Sequence, residues 1–128
     1  MGDLSTHFSR AEFECRCGCG YGTRDGDVSS DLLLLLEAIR RRVARPVRVT
    51  SGCRCDHRNR QVGGARNSSH MRGTAADLAA YSAEDRYALL SAAFALGARG
   101  VGVAATYIHV DVDEQVPRPA AWGYGERG

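Results

Sequence analysis

Two short stretches of this 128-residue chain carry residues whose types and spacing suit metal chemistry. Tyr107-Ile108-His109-Val110-Asp111-Val112-Asp113 alternates apolar with polar, and strand side chains point to opposite faces in turn. Ile108, Val110 and Val112 are expected on the core face, with His109, Asp111 and Asp113 on the other. A solvated polar strand face would show the same alternation. The second stretch, Ser68-Ser69-His70-Met71-Arg72-Gly73-Thr74-Ala75-Ala76-Asp77, puts a histidine at a loop end and an aspartate in the strand that follows. Gly73 and Ala75 are small enough to let the backbone turn closely round an ion. The simpler arrangement would have His70 capping a loop and Asp77 pairing with an arginine. Together His70, Asp77 and His109 supply two imidazoles and one carboxylate. That is a normal donor set for a catalytic zinc, which keeps its fourth position for water.

The elements that must position these groups are legible in outline. Ser9 and Glu12 form a capping-box pattern before Phe13, which predicts a short helix. CRCGCGYGTRDGD follows and reads as a loop. Asp31 to Val43 reads as the main helix, capped by Ser30 or Asp31, with Arg40, Arg41 and Arg42 suited to its C-terminal dipole. Its leucine run, Leu32 to Leu36, makes it apolar nearly all round and predicts a core helix. Pro46 stops it, and Val47 to Ser51 alternates as a short strand. Residues 53–73 read as one long irregular segment, and long loops in compact domains are usually functional. Thr74 to Ala80 predicts a strand and Ala83 to Leu96 a helix, with Ser82 before it and Gly97 after it. Gly100 to Val103 and Tyr107 to Val112 predict a hairpin. The tail, with Pro117, Pro119 and Gly123, carries too many breakers for a long element.

Composition narrows the classes. Hydrophobic residues at 44% and charged residues at 25% are ordinary for a globular protein and set aside disorder, collagen and coiled coil. One domain is expected over residues 1–128, with its core in 7–122. The leucine run is far short of the ~20 residues a membrane span needs. The N-terminus lacks the basic-then-apolar order of a signal peptide, so synthesis in the cytoplasm is expected. A net charge of +2 is too weak to argue for a nucleic-acid partner. All 17 basic residues are arginine, so neither a lysine Schiff base nor a Walker-type phosphate lysine is available.

Ser68-x-His70-x-x-Gly73-x-Ala75-x-Asp77 resembles the SxHxxGxAxD motif of the M15 zinc peptidases. These are D-Ala-D-Ala carboxypeptidases and peptidoglycan endopeptidases that share a fold with the Hedgehog signalling domain. Ile108-His109-Val110-Asp111 resembles the strand that carries the family's third ligand. Ser51-Gly52-Cys53-Arg54 with Asn59-Arg60-x-Val62-Gly63-Gly64-Ala65 resembles its SGYR…N-x-x-VGGA stretch, and Phe8-Ser9-x-x-Glu12-Phe13-x-Cys15 is similar to the start of phage-type and bacterial members. The resemblance implies an α+β Hedgehog/DD-peptidase-like single domain, with helices packed on a small, mainly antiparallel sheet. It implies zinc held by His70, Asp77 and His109. Arg54 would stabilise the developing oxyanion near the substrate, with pairing to a carboxylate such as Asp77 as its structural alternative. Ser68 would steady the loop, with a role toward substrate beside that.

The sequence departs from the family pattern at two places. Several M15 branches place an acidic general base three residues before the last histidine, where this chain has Thr106. Asp111 is the expected substitute on strand alternation, with His57 and Asp113 behind it. Cys53 stands where relatives more often have tyrosine.

The five cysteines, Cys15, Cys17, Cys19, Cys53 and Cys55, leave three arrangements open: a structural zinc, disulfides joining 15–19 to 53–55, or free thiols. The expected function is zinc-dependent hydrolysis of peptidoglycan peptide bonds at the bacterial cell wall. The rival is a non-catalytic zinc module that binds wall peptides or a protein partner, and phage tail or virion placement is compatible with both. Oligomeric state is not legible.

Overall fold

A computed structural model of the protein describes residues 2–124, so residues 1 and 125–128 of the expected domain lie outside the described residues. Its helices are α1 (Arg10–Phe13), α2 (Ser30–Val43), α3 (Asp56–Gln61) and α4 (Ala83–Ala95). Its strands are β1 (Val49–Ser51), β2 (Ala75–Ala79), β3 (Gly100–Val103), β4 (Tyr107–Asp111) and β5 (Ala120–Gly123). A 3-10 turn at Ser69–Arg72 leads into β2. The strands form one sheet in the order β1-β2-β4-β3-β5, antiparallel except for the β3–β5 pair. The architecture is α+β, as expected.

The apolar face of the sheet and the two long helices make one core. Leu32, Leu36 and Ile39 from α2 and Leu89, Ala92 and Ala93 from α4 cluster with Leu78, Val101, Ile108 and Val110. Alternation along β4 therefore sends Ile108 and Val110 inward, both fully buried. Cutting Leu36 back to alanine would remove these contacts and leave a cavity, at a cost of about 2–5 kcal/mol. No helix among the described residues is long and apolar enough to cross a membrane.

The helix ends show how local chemistry sets the boundaries. Ser9 N–H donates to Glu12 Oε1 at 3.0 Å, which is the acidic half of the expected capping box. For α2 the cap is Ser29 rather than Ser30 or Asp31, because the Ser29 side chain accepts from Leu32 N–H. The helix stops at Val43 with Ala44 in the left-handed region, before Pro46 is reached. Its leucine run is not buried all round: Leu34 is 69% exposed, while Leu32, Leu35 and Leu36 face the core. Ser82 caps α4 by accepting from Asp85 N–H, as its position predicts.

Two elements were not expected. α3 interrupts the segment that reads as irregular; it buries only Asn59, so it has no apolar periodicity to give it away. β5 lies in the tail and pairs parallel with β3, Trp122 opposite Gly102. Pro117 and Pro119 precede it, and Gly123 is its last residue.

Candidate metal centre

Two strands and one turn bring the three expected ligands together. Asp77 on β2 and His109 on β4 are register partners, so their side chains leave the sheet side by side on the face opposite Ile108. His70 comes from the 3-10 turn. Ser68 Oγ accepts from His70 N–H at 3.2 Å, and Gly73, left-handed at φ 71°, ends the turn. Arg54 N–H donates to the His70 carbonyl at 3.1 Å, which ties the turn to the segment after β1. Ser68 thus holds the start of the turn by this bond.

The hydrogen bonds settle which ring atoms are left free. His70 Nδ1 lies 2.7 Å from the Gly52 carbonyl, which can only accept, so Nδ1 carries the proton. His70 Nε2 then faces Asp77 Oδ1 at 3.1 Å. On His109 the arrangement is mirrored: Nε2 donates to Asp111 Oδ2 at 2.6 Å, and Nδ1 faces Asp77 Oδ1 at 3.4 Å. His109 Nδ1 is buried without a hydrogen-bond partner. Two nitrogen lone pairs and a carboxylate oxygen thus converge within 4.8 Å, and a buried gathering of acceptors needs a cation. Zinc suits two imidazoles and a carboxylate. In the metal-free protein the same proximity shifts the titrations. Burial would raise the Asp77 pKa, but the attraction of His109 and His70 beside it holds it well below the usual carboxylate range. Burial would lower the His109 pKa, but its bond to Asp111 and the charge of Asp77 raise it.

Asp111 stands behind His109 rather than before it. Its carboxylate is fully buried and occupied by His109 Nε2 and by Arg118, whose Nε and Nη2 lie at 3.0 and 2.7 Å. Burial alone would raise its pKa; the bonds from His109 and Arg118 push it below the carboxylate range instead. Strand alternation placed Asp111 correctly on the face of His109, but the imidazole has two nitrogens and Asp111 holds the one away from Asp77. This position suits Asp111 to orienting His109, where strand alternation suggested a base for water at the metal. The packing also explains Gly100 on β3, where a Cβ would run into the Asp111 carboxylate and Arg118. Asp113 accepts from Ser69 Oγ at 2.6 Å and from Arg72, so it fixes the turn that carries His70. It is 1% exposed and is no base either.

A family model described as Peptidase M15 matches residues 6–113. The chain is a member of the M15 peptidase family. Its members are zinc peptidases, which accords with the donor set above. No curated protein matches the chain.

The M15 centre opens onto a groove of about 1280 Å³. Arg54, Ser68, Thr106, Tyr107, Arg118 and Trp122 are among its walls. Arg54 is half-buried there, its Nε without a hydrogen-bond partner, while the ion pairs of Asp77 go to the two histidines. Burial holds the Arg54 pKa below its ordinary value. Asp77 is the one carboxylate among the described residues that line the groove. His57 is exposed on α3 and does not line it.

Sequence reasoning missed Arg118 and Trp122. Trp122 packs on His109 with ring centres 5.2 Å apart, and Arg118 lies over the indole at 5.0 Å. Neither carries a spacing signal; both depend on the parallel pairing of β5. Of the five cysteines, the fold gathers Cys15, Cys17, Cys19 and Cys55, while Cys53 is buried separately with its Sγ toward the Asp27 carbonyl.

Proposed function

We propose that this M15 peptidase hydrolyses peptide bonds of peptidoglycan at the bacterial cell wall, using zinc held by His70, Asp77 and His109. The observation that carries the reading is the convergence of His70 Nε2, His109 Nδ1 and Asp77 Oδ1 at the floor of an open groove. When bound, the zinc polarises the scissile carbonyl and acidifies a water. The remaining work falls to the chain. Gly52 and Asp111 each hold one imidazole so that its free nitrogen faces Asp77. Arg54, a fixed cation on the groove wall, meets the negative charge that grows on the carbonyl oxygen. Thr106 cannot act as a base, so the attacking water would give its proton to solvent at the groove mouth and the leaving amine would take one from there. The substrate is a wall stem or cross-link, with D-configured residues near the cut.

The resemblance of Ser68 to Asp77 to wall-peptidase motifs supports that substrate class. A second reading is favoured by one observation, the lack of a further carboxylate among the described residues that line the groove. On that reading the centre binds wall peptides without cutting them. Incubating the zinc-loaded protein with purified peptidoglycan and weighing the soluble products separates the two. New peptide fragments that disappear with His109→Ala support hydrolysis, and their masses tell a carboxypeptidase from an endopeptidase. Sedimentation with the wall polymer and no released fragment supports the binding module.

A further inference from the structure

We propose that Cys15, Cys17, Cys19 and Cys55 hold a second, structural zinc ion that clips the N-terminal loop to the wall of the groove. Their sulfurs all lie within 4.8 Å of one another. Cys15 Sγ is 3.5 Å from Cys17 Sγ and 3.7 Å from Cys55 Sγ, and Cys17 and Cys55 are 3.5 Å apart. Zinc–sulfur bonds of about 2.3 Å in a tetrahedron set the sulfurs about 3.8 Å from one another, close to these separations. A disulfide would select one pair and draw it to about 2.05 Å. Here the three measured pairs are nearly equal and none is singled out.

The backbone supports the same arrangement. Cys55 N–H donates to Cys15 Sγ and Arg58 N–H donates to Cys55 Sγ, both at 3.4 Å. Such donors stabilise sulfur as thiolate, the form that binds metal. Gly18 and Gly20, at φ 84° and 92°, reverse the chain after Cys17 and after Cys19, which alternate residues on an extended chain would not achieve. Four thiolates fill a tetrahedral ion, so the site is closed and structural. Cys15 is buried while Cys17 and Cys19 are exposed, which leaves an entry path. As the ion binds, each cysteine that is still a thiol gives its proton to solvent and forms a sulfur–zinc bond. No change of oxidation state is involved.

The position gives the ion a task. Residues 16–20 bury no side chain, so no apolar packing orders them. Cys55 is next to Arg54, and Arg16 lies between two of the ligands; both arginines line the groove. The clip therefore holds two groove cations in place from outside the catalytic centre.

The test is metal stoichiometry on the full chain, purified with reductant and zinc. The intact protein should carry about two zinc ions, and Cys17→Ser with Cys19→Ser, both exposed, should carry about one. His70→Ala with His109→Ala should also carry about one, and that variant loaded with cobalt should show intense sulfur-to-cobalt charge-transfer absorption. The cobalt spectrum needs no cysteine variant to fold. Zinc content unchanged by the cysteine substitutions, or no sulfur-to-cobalt band, would overturn the proposal. So would a native mass showing disulfides among these four residues in protein prepared without added oxidant. Loss of zinc only in the histidine variant sinks this site and leaves the peptidase reading standing; loss only in the cysteine variant does the reverse.

Discussion

The two clusters of metal-binding residues in this molecule are built in opposite ways. His70, Asp77 and His109 rest on a paired sheet and a turn packed against it, with Asp77 and His109 fixed opposite each other by strand register. Cys15, Cys17, Cys19 and Cys55 sit on loops and at the start of a six-residue helix. The first set supplies three donors and lines the groove; the second supplies four, none of which lines it. A centre that must leave room for substrate cannot take its geometry from the metal alone, so the sheet provides it. Loops can be organised by the ion itself, since four thiolates define the shape they need. The difference predicts that removing one set abolishes chemistry with the fold kept, while removing the other loosens a loop.

The largest effect should come from His109→Ala. Peptidase activity is expected to fall to background and the centre to lose its zinc, while circular dichroism and the thiol-bound metal are unchanged. Cys17→Ser with Cys19→Ser should lower the melting temperature and leave measurable turnover. Equal loss of activity in the two variants would break the comparison.

Next comes Arg54→Ala. Removing one group that stabilises an oxyanion typically costs about 10²–10³-fold in kcat. Zinc content at the histidine centre should stay the same. Arg54→Lys should recover part of the rate, because the charge returns without the guanidinium fork. If Arg54 only shapes the wall, KM should move and kcat should not.

The acidic position missing at Thr106 gives a test in the opposite direction. Thr106 lines the groove, so Thr106→Glu would bring a carboxylate to it. A positioned base contributes about 10²–10⁴-fold, and a gain toward the lower end is expected in kcat. Unchanged kcat at all pH values would show that proton removal does not limit turnover.

What the sequence shows of this site follows from period and its limits. The alternation along β4 gives the face of His109, and the motif from Ser68 to Asp77 gives the other two ligands. Neither states which imidazole nitrogen is free. That depends on Gly52, Asp111 and Arg118, brought together by the sheet and by the tail after β4. α3 was hidden because a polar helix that buries one asparagine has no hydrophobic stripe. β5 was hidden because burial alternates along it while Ala-Ala-Trp-Gly carries no alternation of polarity to report it. Helices α2 and α4 were legible because each has one face on the core.

Asp111→Asn probes the sheet-borne centre one layer out. Substitutions of groups that orient a ligand histidine typically cost 10–100-fold in metal affinity. Asparagine keeps the shape but leaves Arg118 beside a neutral amide and weakens the hold on His109 Nε2. Zinc affinity should fall by about that factor, and activity should return when zinc is raised. An undiminished affinity with lower kcat at saturating zinc would restore Asp111 to the proton-transfer role.

The smallest effect concerns acid stability and rests on Asp113. This carboxylate is buried, and burial by itself would raise its pKa; bonds from Arg72 and Ser69 and from the Gln115 N–H lower it overall. A carboxylate whose folded pKa lies below its unfolded value stabilises the fold above the unfolded pKa of about 3.9. That stabilisation is lost as pH falls through the folded pKa. The turn carrying His70 should therefore loosen in acid, since Asp113 joins Ser69 and Arg72 to the end of β4. Asp113→Asn removes the charge at every pH. At neutral pH it should destabilise the protein by about 1.5–3 kcal/mol, the worth of a hydrogen bond to a charged group. Below about pH 4 the gap should begin to shrink as the unfolded chain's carboxyl takes up its proton, and it should close as pH falls through the lower folded pKa. Urea unfolding of the metal-free protein between acid and neutral pH reads this directly. A constant gap across the whole range would mean that Asp113 contributes through shape and not through charge.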